Sequence, residues 1–270
     1  MANPAVSEEE IEKAEILRAD GATEASLALS QELLERVDDG DLRMRLLFNI
    51  VTCSSWLDRG EVAGRAMAEL DKMPDPQFSR VLANMERGYA EEILGRPENA
   101  LAIFDTILET GYFDREDFRV HKYTLCLYKG QALLGLKRAS DALEWLDRGH
   151  AIYPSEESAP DETARRIFGW VEPLIQTNRA NCLMVFDRFE EAFQAASEAL
   201  RLSKGDLATF AMEQMAECRH WQARVPEALE LYLEVKKRLP CRLVDEKKNQ
   251  TGITNCMIFL EGLRGSSQPS

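Results

Sequence analysis

The chain has 270 residues, of which 45% are hydrophobic and 30% are charged. Its 33 Lys and Arg residues against 47 Asp and Glu residues give a net charge of −14. This composition predicts a folded protein of one large or two small domains. The negative field of the chain disfavours nucleic acid and anionic lipid as partners.

The N-terminal sequence MANPAVSEEE has no basic segment followed by an apolar one, so we expect no secretory signal. Every apolar run is interrupted before it reaches the roughly 18 residues of a membrane span. The six cysteines are dispersed and form no CxxC pair, which favours reduced thiols that fill apolar space. The sequence therefore predicts a cytoplasmic protein with no membrane partner.

Apolar residues recur at helical spacing almost throughout the chain, and no segment is convincing as a strand. The pattern in residues 8–78 is weaker and predicts two helical hairpins, one with Gly21 and Ala25 and one around Gly60. Residues 80–242 predict clearer hairpins of the same kind.

The second helices of four of these hairpins open on an alanine and can be aligned on it. The alanines lie 42, 50 and 36 residues apart, at Ala100, Ala142, Ala192 and Ala228. Twelve residues before each alanine the first helix has a small residue, namely Gly88, Gly130, Ala180 and Ala216. Four residues after each alanine come Phe104, Leu146, Ala196 and Tyr232.

This register resembles that of the tetratricopeptide repeat (TPR), a helix–turn–helix unit of about 34 residues. The best matches are KGQALLGLKRASDALEWLDRGHAIYP at 129–154 and NRANCLMVFDRFEEAFQAASEALRL at 178–202. The resemblance implies an all-α fold, a right-handed α-solenoid of about six TPR-like hairpins that forms a single domain over residues 1–270. Within it, residues 8–78 would be degenerate hairpins.

Three segments depart from a plain array. Residues 154–172 are an insertion, which we expect to form a polar loop and then a short helix that begins near Asp161 and ends before Pro173. We expect residues 245–263 to form a last helix that caps the solenoid, and residues 264–270 to form a flexible tail.

Asp187 and Glu190 have the spacing of a capping box, which predicts that Asp187 caps the N-terminus of the helix that follows it.

In the TPR family the first helices line a concave groove that receives a peptide or helix of a partner protein. Carried over by register, the resemblance implies a partner-binding groove formed by Leu82, Met85, Tyr89, Leu127, Gln131, Leu134, Thr177, Asn181, Met184, Phe210, Glu213, Glu217 and His220. This surface would be apolar in the middle and acidic near its C-terminal end. The family's clamp for a C-terminal carboxylate has only Asn181 as a partial match. Alternatively, these residues form the core of a tight superhelix, or the insertion helix fills the groove.

No catalytic, cofactor or metal motif accompanies this pattern. The three histidines lie outside such motifs, and the GxGxxG and GxxxxGK[ST] phosphate-binding patterns are absent. Cys218 and His220 are two residues apart, which on a helix directs their side chains to different sides. The basic stretch KKRLPCR at 236–242 suits a helix C-terminus, where positive charge is favourable, although it could also dock an acidic segment. We expect no cofactor, no metal and no enzymatic activity.

The sequence therefore predicts a non-enzymatic protein–protein interaction scaffold that holds an apolar or weakly basic segment of another protein. Two alternatives remain open at this point. One is a homodimer that associates through the groove or an exposed solenoid end. The other is a regulatory module of a signalling or transcription complex.

Overall fold

The computed structural model describes residues 6–19, 22–73, 76–241 and 243–266. These residues form thirteen α-helices and no strand. The helices are α1 Glu8–Ala19, α2 Thr23–Leu34, α3 Gly40–Trp56, α4 Gly60–Leu70, α5 Pro76–Ile93, α6 Pro97–Glu109, α7 Arg119–Gly135, α8 Ala139–Ile152, α9 Glu162–Val185, α10 Phe189–Leu202, α11 Gly205–Trp221, α12 Val225–Lys237 and α13 Glu246–Ser266. Short 3₁₀ turns lie at Tyr112–Asp114, Glu116–Phe118 and Glu156–Ser158.

The helices form two compact units, Met1–His121 and Lys122–Ser270. In the first unit each helix from α1 to α6 packs against the next, and α3 also packs against α1 and α5. In the second unit each helix from α8 to α13 packs against the next, and α11 also packs against α9 and α13. The predicted fold class, an all-α array of about six TPR-like hairpins followed by a C-terminal helix, is confirmed. That the two units form one solenoid domain stays a prediction.

Large and small residues complement each other where the two helices of a hairpin cross. A Cβ atom on Gly88 would lie 2.3 Å from the ring of Phe104, and one on Gly130 would lie 2.7 Å from Leu146. In the following hairpin the first helix has Ala180 instead of glycine, and the opposing position is correspondingly smaller, at Ala196. All four apolar alanines of α10, at positions 192, 195, 196 and 199, are buried. Such small residues let helices approach to the short end of the 8–10 Å range of interaxial distances.

The same register continues into the N-terminal hairpins. Ala63 of α4 and Val51 of α3 occupy the two crossing positions and are both buried. In the first hairpin the corresponding residues are Ser26 and Ala14, and the Ser26 hydroxyl donates to the Ala14 carbonyl at 2.7 Å. Ala25, which the sequence suggested for this role, is exposed. Gly21 lies outside the described residues.

Five hairpins turn through the same three-residue conformation. The second turn residue has a positive φ of 56–73° in each, at Asp58, Gly95, Lys137, Asp187 and Ala223. The third turn residue donates its N–H to the carbonyl five residues earlier, over 2.7–3.0 Å. This is the Schellman arrangement, in which a left-handed residue ends a helix. The capping-box prediction for Asp187 and Glu190 is wrong, because Asp187 is this left-handed residue and the next residue is the N-cap of α10.

The third residue of all five turns is an arginine: Arg59, Arg96, Arg138, Arg188 and Arg224. Its carbonyl accepts the N–H of the anchor alanine of the second helix, over 2.9–3.2 Å. One residue therefore ends the first helix and begins the second. A positive side chain is favourable at a helix C-terminus and unfavourable at an N-terminus. Nearby carboxylates offset the second effect, as where Arg96 bonds both carboxylate oxygens of Asp58 at 3.0 and 2.9 Å.

Helix α9 corrects the prediction that residues 154–172 contain a separate short helix. Asp161 does cap its N-terminus, by accepting the Ala164 N–H at 2.8 Å. The helix then continues through Pro173 to Val185. A proline inside a helix costs about 3 kcal/mol, but Phe168, Val171 and Ile175 are buried on both sides of it. Since each buried side chain of this size contributes about 1.5–3 kcal/mol, packing keeps the helix continuous.

The last helix runs to Ser266, so residues 264–266, which were predicted to belong to a flexible tail, are helical. Residues 267–270 lie outside the described part of the chain. One face of α13 packs on α12, where a Cβ atom on Gly252 would lie 2.6 Å from the ring of Tyr232. Ile253 and Cys256 are buried in the same contact.

Candidate partner-binding surface

Three predicted groove residues lie on α5 of the first unit. Met85 is buried, whereas Leu82 and Tyr89 are half-buried. The Tyr89 ring packs edge-on against Trp56, with centroids 6.2 Å apart. Burial, and secondarily the nearby Glu92 and Glu86 carboxylates, raises the pKa of Tyr89 to about 12.

The other ten predicted groove residues lie in the second unit. Leu127, Thr177 and Glu213 are buried. The remaining seven are half-buried, namely Gln131, Leu134, Asn181, Met184, Phe210, Glu217 and His220. Gln214 fixes part of this surface, because its side-chain amide donates to the Thr177 carbonyl at 3.0 Å and to Asn181 Oδ1 at 2.7 Å.

The expected acidic end of the groove is covered by α13. Burial raises the pKa of Glu213 to about 7. The positive charge of Lys248 lowers this pKa, whereas the negative charges of Glu217 and Asp245 raise it further. Glu217 forms an ion pair with Lys248 of α13. The Glu217 carboxylate is therefore engaged within the protein, whereas one carboxyl oxygen of Glu213 is buried without a hydrogen-bond partner.

Three of the predicted residues do come together at a cavity of about 430 Å³. Leu134, Asn181 and Met184 line it. Four other lining residues were not predicted from the sequence: Val185, Asp187, Phe189 and Trp221. These residues lie at the C-terminal ends of α7, α9 and α11 and at the start of α10.

A second cavity, of about 490 Å³, shares Trp221 with the first. It is lined by His220, Ala223, Val225, Asn255, Ile258 and Phe259 in addition to that tryptophan. The two cavities together outline a surface of apolar side chains that we call the apolar strip. Its residues are Leu134, Met184, Val185, Phe189, Trp221, Ile258 and Phe259.

Trp221 lies at the centre of the apolar strip and is 66% exposed. Its indole ring is nearly parallel to the ring of Phe189, at 13° with centroids 6.3 Å apart. His220 packs edge-on against the same indole at 5.8 Å, and its Nδ1 lies 3.5 Å from the Cys256 sulfur. Neighbouring rings thus border the indole while two-thirds of its surface remains accessible.

A signal for the apolar strip was present in the repeat register. The residue seven positions before the anchor alanine is the last residue of the first helix in five hairpins: Trp56, Ile93, Gly135, Val185 and Trp221. Four of the five are apolar, although a helix end is a solvent-facing position. Ile93, Val185 and Trp221 are exposed.

The basic stretch at 236–242 lies largely at a helix end, as expected. Lys236 and Lys237 occupy the last turn of α12. Lys237 bonds Glu234 at 2.9 Å, and Lys236 bonds Gln250 of α13 at 3.0 Å. Arg242 lies outside the described residues.

The described residues contain no group of three or more His, Cys, Asp or Glu side chains arranged to hold a metal ion. Cys218 is buried and His220 is half-buried. No described helix combines the length and the apolar character needed to cross a membrane.

Comparisons with known proteins give structural likenesses but no sequence family. No model of a known protein family matches the chain, and no curated protein matches its sequence. A crystal structure of a tetratricopeptide repeat protein from Parabacteroides merdae ATCC 43184 is similar with a TM-score of 0.44 and 14% sequence identity. The likeness covers 93% of this chain and 98% of that one. By its own repeated helical hairpins, the protein is an all-α, TPR-like helical-repeat protein.

Proposed function

We propose that this protein is a non-catalytic interaction scaffold whose second unit binds an apolar peptide or helix of a partner protein. The carrying observation is the exposed Trp221, with a cavity of about 430 Å³ on one side and one of about 490 Å³ on the other. Tryptophan is enriched among the residues that dominate binding energy at protein interfaces. A partner that inserts apolar side chains into both cavities would bury the indole between them.

The apolar strip overlaps only in part with the groove that the family register implies. Leu134 and Met184 belong to both surfaces, and Asn181 and His220 line its cavities. Met85, Leu127, Thr177 and Glu213 are buried, so contact with a partner through them would require rearrangement. The proposal therefore places binding at the C-terminal ends of the first helices. A cytoplasmic location and the absence of enzymatic activity are parts of the same proposal.

The test is affinity capture with the wild-type chain, Trp221→Ala and Trp170→Ala. Trp170 is a matched control, since it is a tryptophan of the same unit, 42% exposed, and outside the apolar strip. We expect Trp221→Ala to weaken binding of captured partners by at least about tenfold, which corresponds to about 1.4 kcal/mol, and Trp170→Ala to have no effect. If folded Trp221→Ala retains every partner, the apolar strip is not the binding surface.

Self-association is distinguished by light scattering over a range of concentrations. A mass that doubles with concentration, and does so only when Trp221 is present, would assign the apolar strip to a homodimer instead. Turnover in a broad substrate screen would overturn the non-catalytic assignment. Capture of a signalling or transcription protein would support the alternative of a regulatory module in such a complex.

A further inference from the structure

A separate polar cleft opens in the second unit, among α8, α9 and α10. Its volume is about 390 Å³, and it shares no lining residue with the apolar strip. Its polar walls include His150, Gln176, Arg179, Arg188, Glu191 and Glu198. Volumes of about 300–1,000 Å³ are typical of small-molecule sites.

His150 is held in the cleft by a buried carboxylate. Its Nδ1 lies 2.7 Å from Glu172 Oε1, and Gln176 donates to the same oxygen at 2.6 Å. Tyr123 donates its hydroxyl to Glu172 Oε2 at 2.6 Å. The Glu172 carboxylate accepts hydrogen bonds from Gln176 and Tyr123. We therefore place a proton on His150 Nδ1, which donates to the same carboxylate as a third donor. The imidazole orientation is thereby fixed, and Nε2 is left as the ring nitrogen available to a ligand.

Packing alone does not explain why a carboxylate is buried beside His150. Glu172 is 1% exposed, and burying a carboxylate is strongly unfavourable unless its partners compensate. An apolar side chain would fill the same space without that cost. A buried carboxylate that orients a half-exposed histidine at a cavity is instead the arrangement found where a histidine contacts a ligand.

Each charged side chain in the walls of the cleft forms an ion pair. Arg179 pairs with Asp147 at 2.7 Å, and Arg188 pairs with Glu191 at 2.6 Å. Glu198 pairs with Arg201, whose hydrogen bond is the main reason that the pKa of Glu198 is lowered. Exposed ion pairs of this kind contribute little to stability, so a ligand can replace them at little cost.

A wall of paired charges does not favour a ligand with a net charge, and an apolar ligand would remove these pairs from water without forming new polar contacts. A dipolar ligand satisfies both signs. We propose that this cleft binds a small molecule of the amino-acid class, with its carboxylate on Arg179 and Arg188 and its ammonium group on His150 Nε2 and Glu198.

The imidazole NMR signals of the untagged protein test this proposal, because the chain has only 3 histidines. The signal that disappears in His150→Gln identifies His150. L-leucine should shift that signal saturably and leave those of His121 and His220 unchanged. Arg188→Ala should weaken the binding at least tenfold. Arg138→Ala should leave it unchanged, since Arg138 is the equivalent turn arginine outside the cleft and pairs with Asp141.

Two further ligands separate a free amino acid from a peptide end. N-acetyl-L-leucine presents only the carboxylate, and L-leucinamide presents only the ammonium group. Each should shift the His150 signal much less than L-leucine at the same concentration. If either of them binds as well as L-leucine, the site recognises a single charge and the dipolar assignment is wrong. If no amino acid shifts the signal of the folded wild-type chain, the cleft is structural only.

Discussion

Glu213 shows how one buried group can make stability depend on pH. It is 2% exposed, on α11 beneath α13, and burial raises its pKa from 4.5 to about 7. Between these two values the unfolded chain has lost the proton that the folded chain retains. Stability from this group is therefore fully present below about pH 4.5, decreases as the pH rises, and is lost above about pH 7.

Glu213→Gln keeps the shape of the protonated side chain and removes the titration. We expect no change in unfolding free energy at pH 4.5 and a gain of about 1–3 kcal/mol at pH 8. Urea denaturation at the two pH values measures both. Glu144→Gln is the control, since Glu144 is exposed on α8 and its variant should follow the wild type at both. An equal effect of Glu213→Gln at both pH values would contradict the assignment.

At the scale of the element, the repeated turn defines the hairpin. Its left-handed residue is glycine in one case and a non-glycine residue in four. A residue with a Cβ atom in that conformation costs roughly 1–2 kcal/mol, and glycine loses about 0.5–1 kcal/mol of backbone entropy instead. The turn is retained with either residue, because two backbone hydrogen bonds at the shared arginine hold it.

Two substitutions at this position should act in opposite directions. Gly95→Ala, at φ 73°, should destabilise the protein by about 0.5–1 kcal/mol, and Ala223→Gly, at φ 58°, should stabilise it by up to a similar amount. Thermal or urea unfolding gives both values. Gly64→Ala is the control, since Gly64 lies inside α4 with no atom within 4 Å of its added Cβ. That control should stabilise the protein; if it destabilises as much as Gly95→Ala, φ is not the cause.

The hairpins of residues 80–242 were predictable from the sequence because the crossing positions of their first helices have glycine or alanine. Gly88 and Gly130 each face one opposing side chain that leaves no room for a Cβ atom, so the constraint appears at a fixed spacing. Pro173 was misleading for the opposite reason. A local rule ends a helix there, whereas the burial of Phe168, Val171 and Ile175 on both sides of the proline keeps α9 intact.

At the scale of the whole molecule, α13 determines which part of the second unit is accessible. It covers Tyr232 and pairs with Glu217, yet its Ile258 and Phe259 form one end of the apolar strip. The burial of Glu213 on α11 could not be derived from the repeat register, because α13, which packs against α11, is not a repeat. The apolar strip was partly visible, since Val185 and Trp221 share a register position.

A chain that ends at Asp245 lacks α13 and should be strongly destabilised. It loses the burial of Ile253 and Cys256 and leaves Tyr232 uncovered, and we expect a loss of about 3–5 kcal/mol. Urea denaturation measures this loss. Ile258→Ser is the control, since Ile258 is 62% exposed on α13 and its substitution should leave stability nearly unchanged. Unaltered stability of the shortened chain would show that α13 does not act as a cap.

Because of the shared arginine, the two edges of each unit should differ in how well they tolerate insertions. One edge has the turns within hairpins, and the other has the connections between hairpins. No spare residue exists between the helices of a hairpin, because the residue that ends one helix begins the next. The connections between hairpins range from two residues, 203–204, to nine, 110–118 and 153–161, and the longest helix, α9, extends on that same side. The spacing of the repeats therefore varies only there. That edge can accept inserted segments without disturbing the stack, whereas one added residue at a turn would shift an entire second helix against its partner.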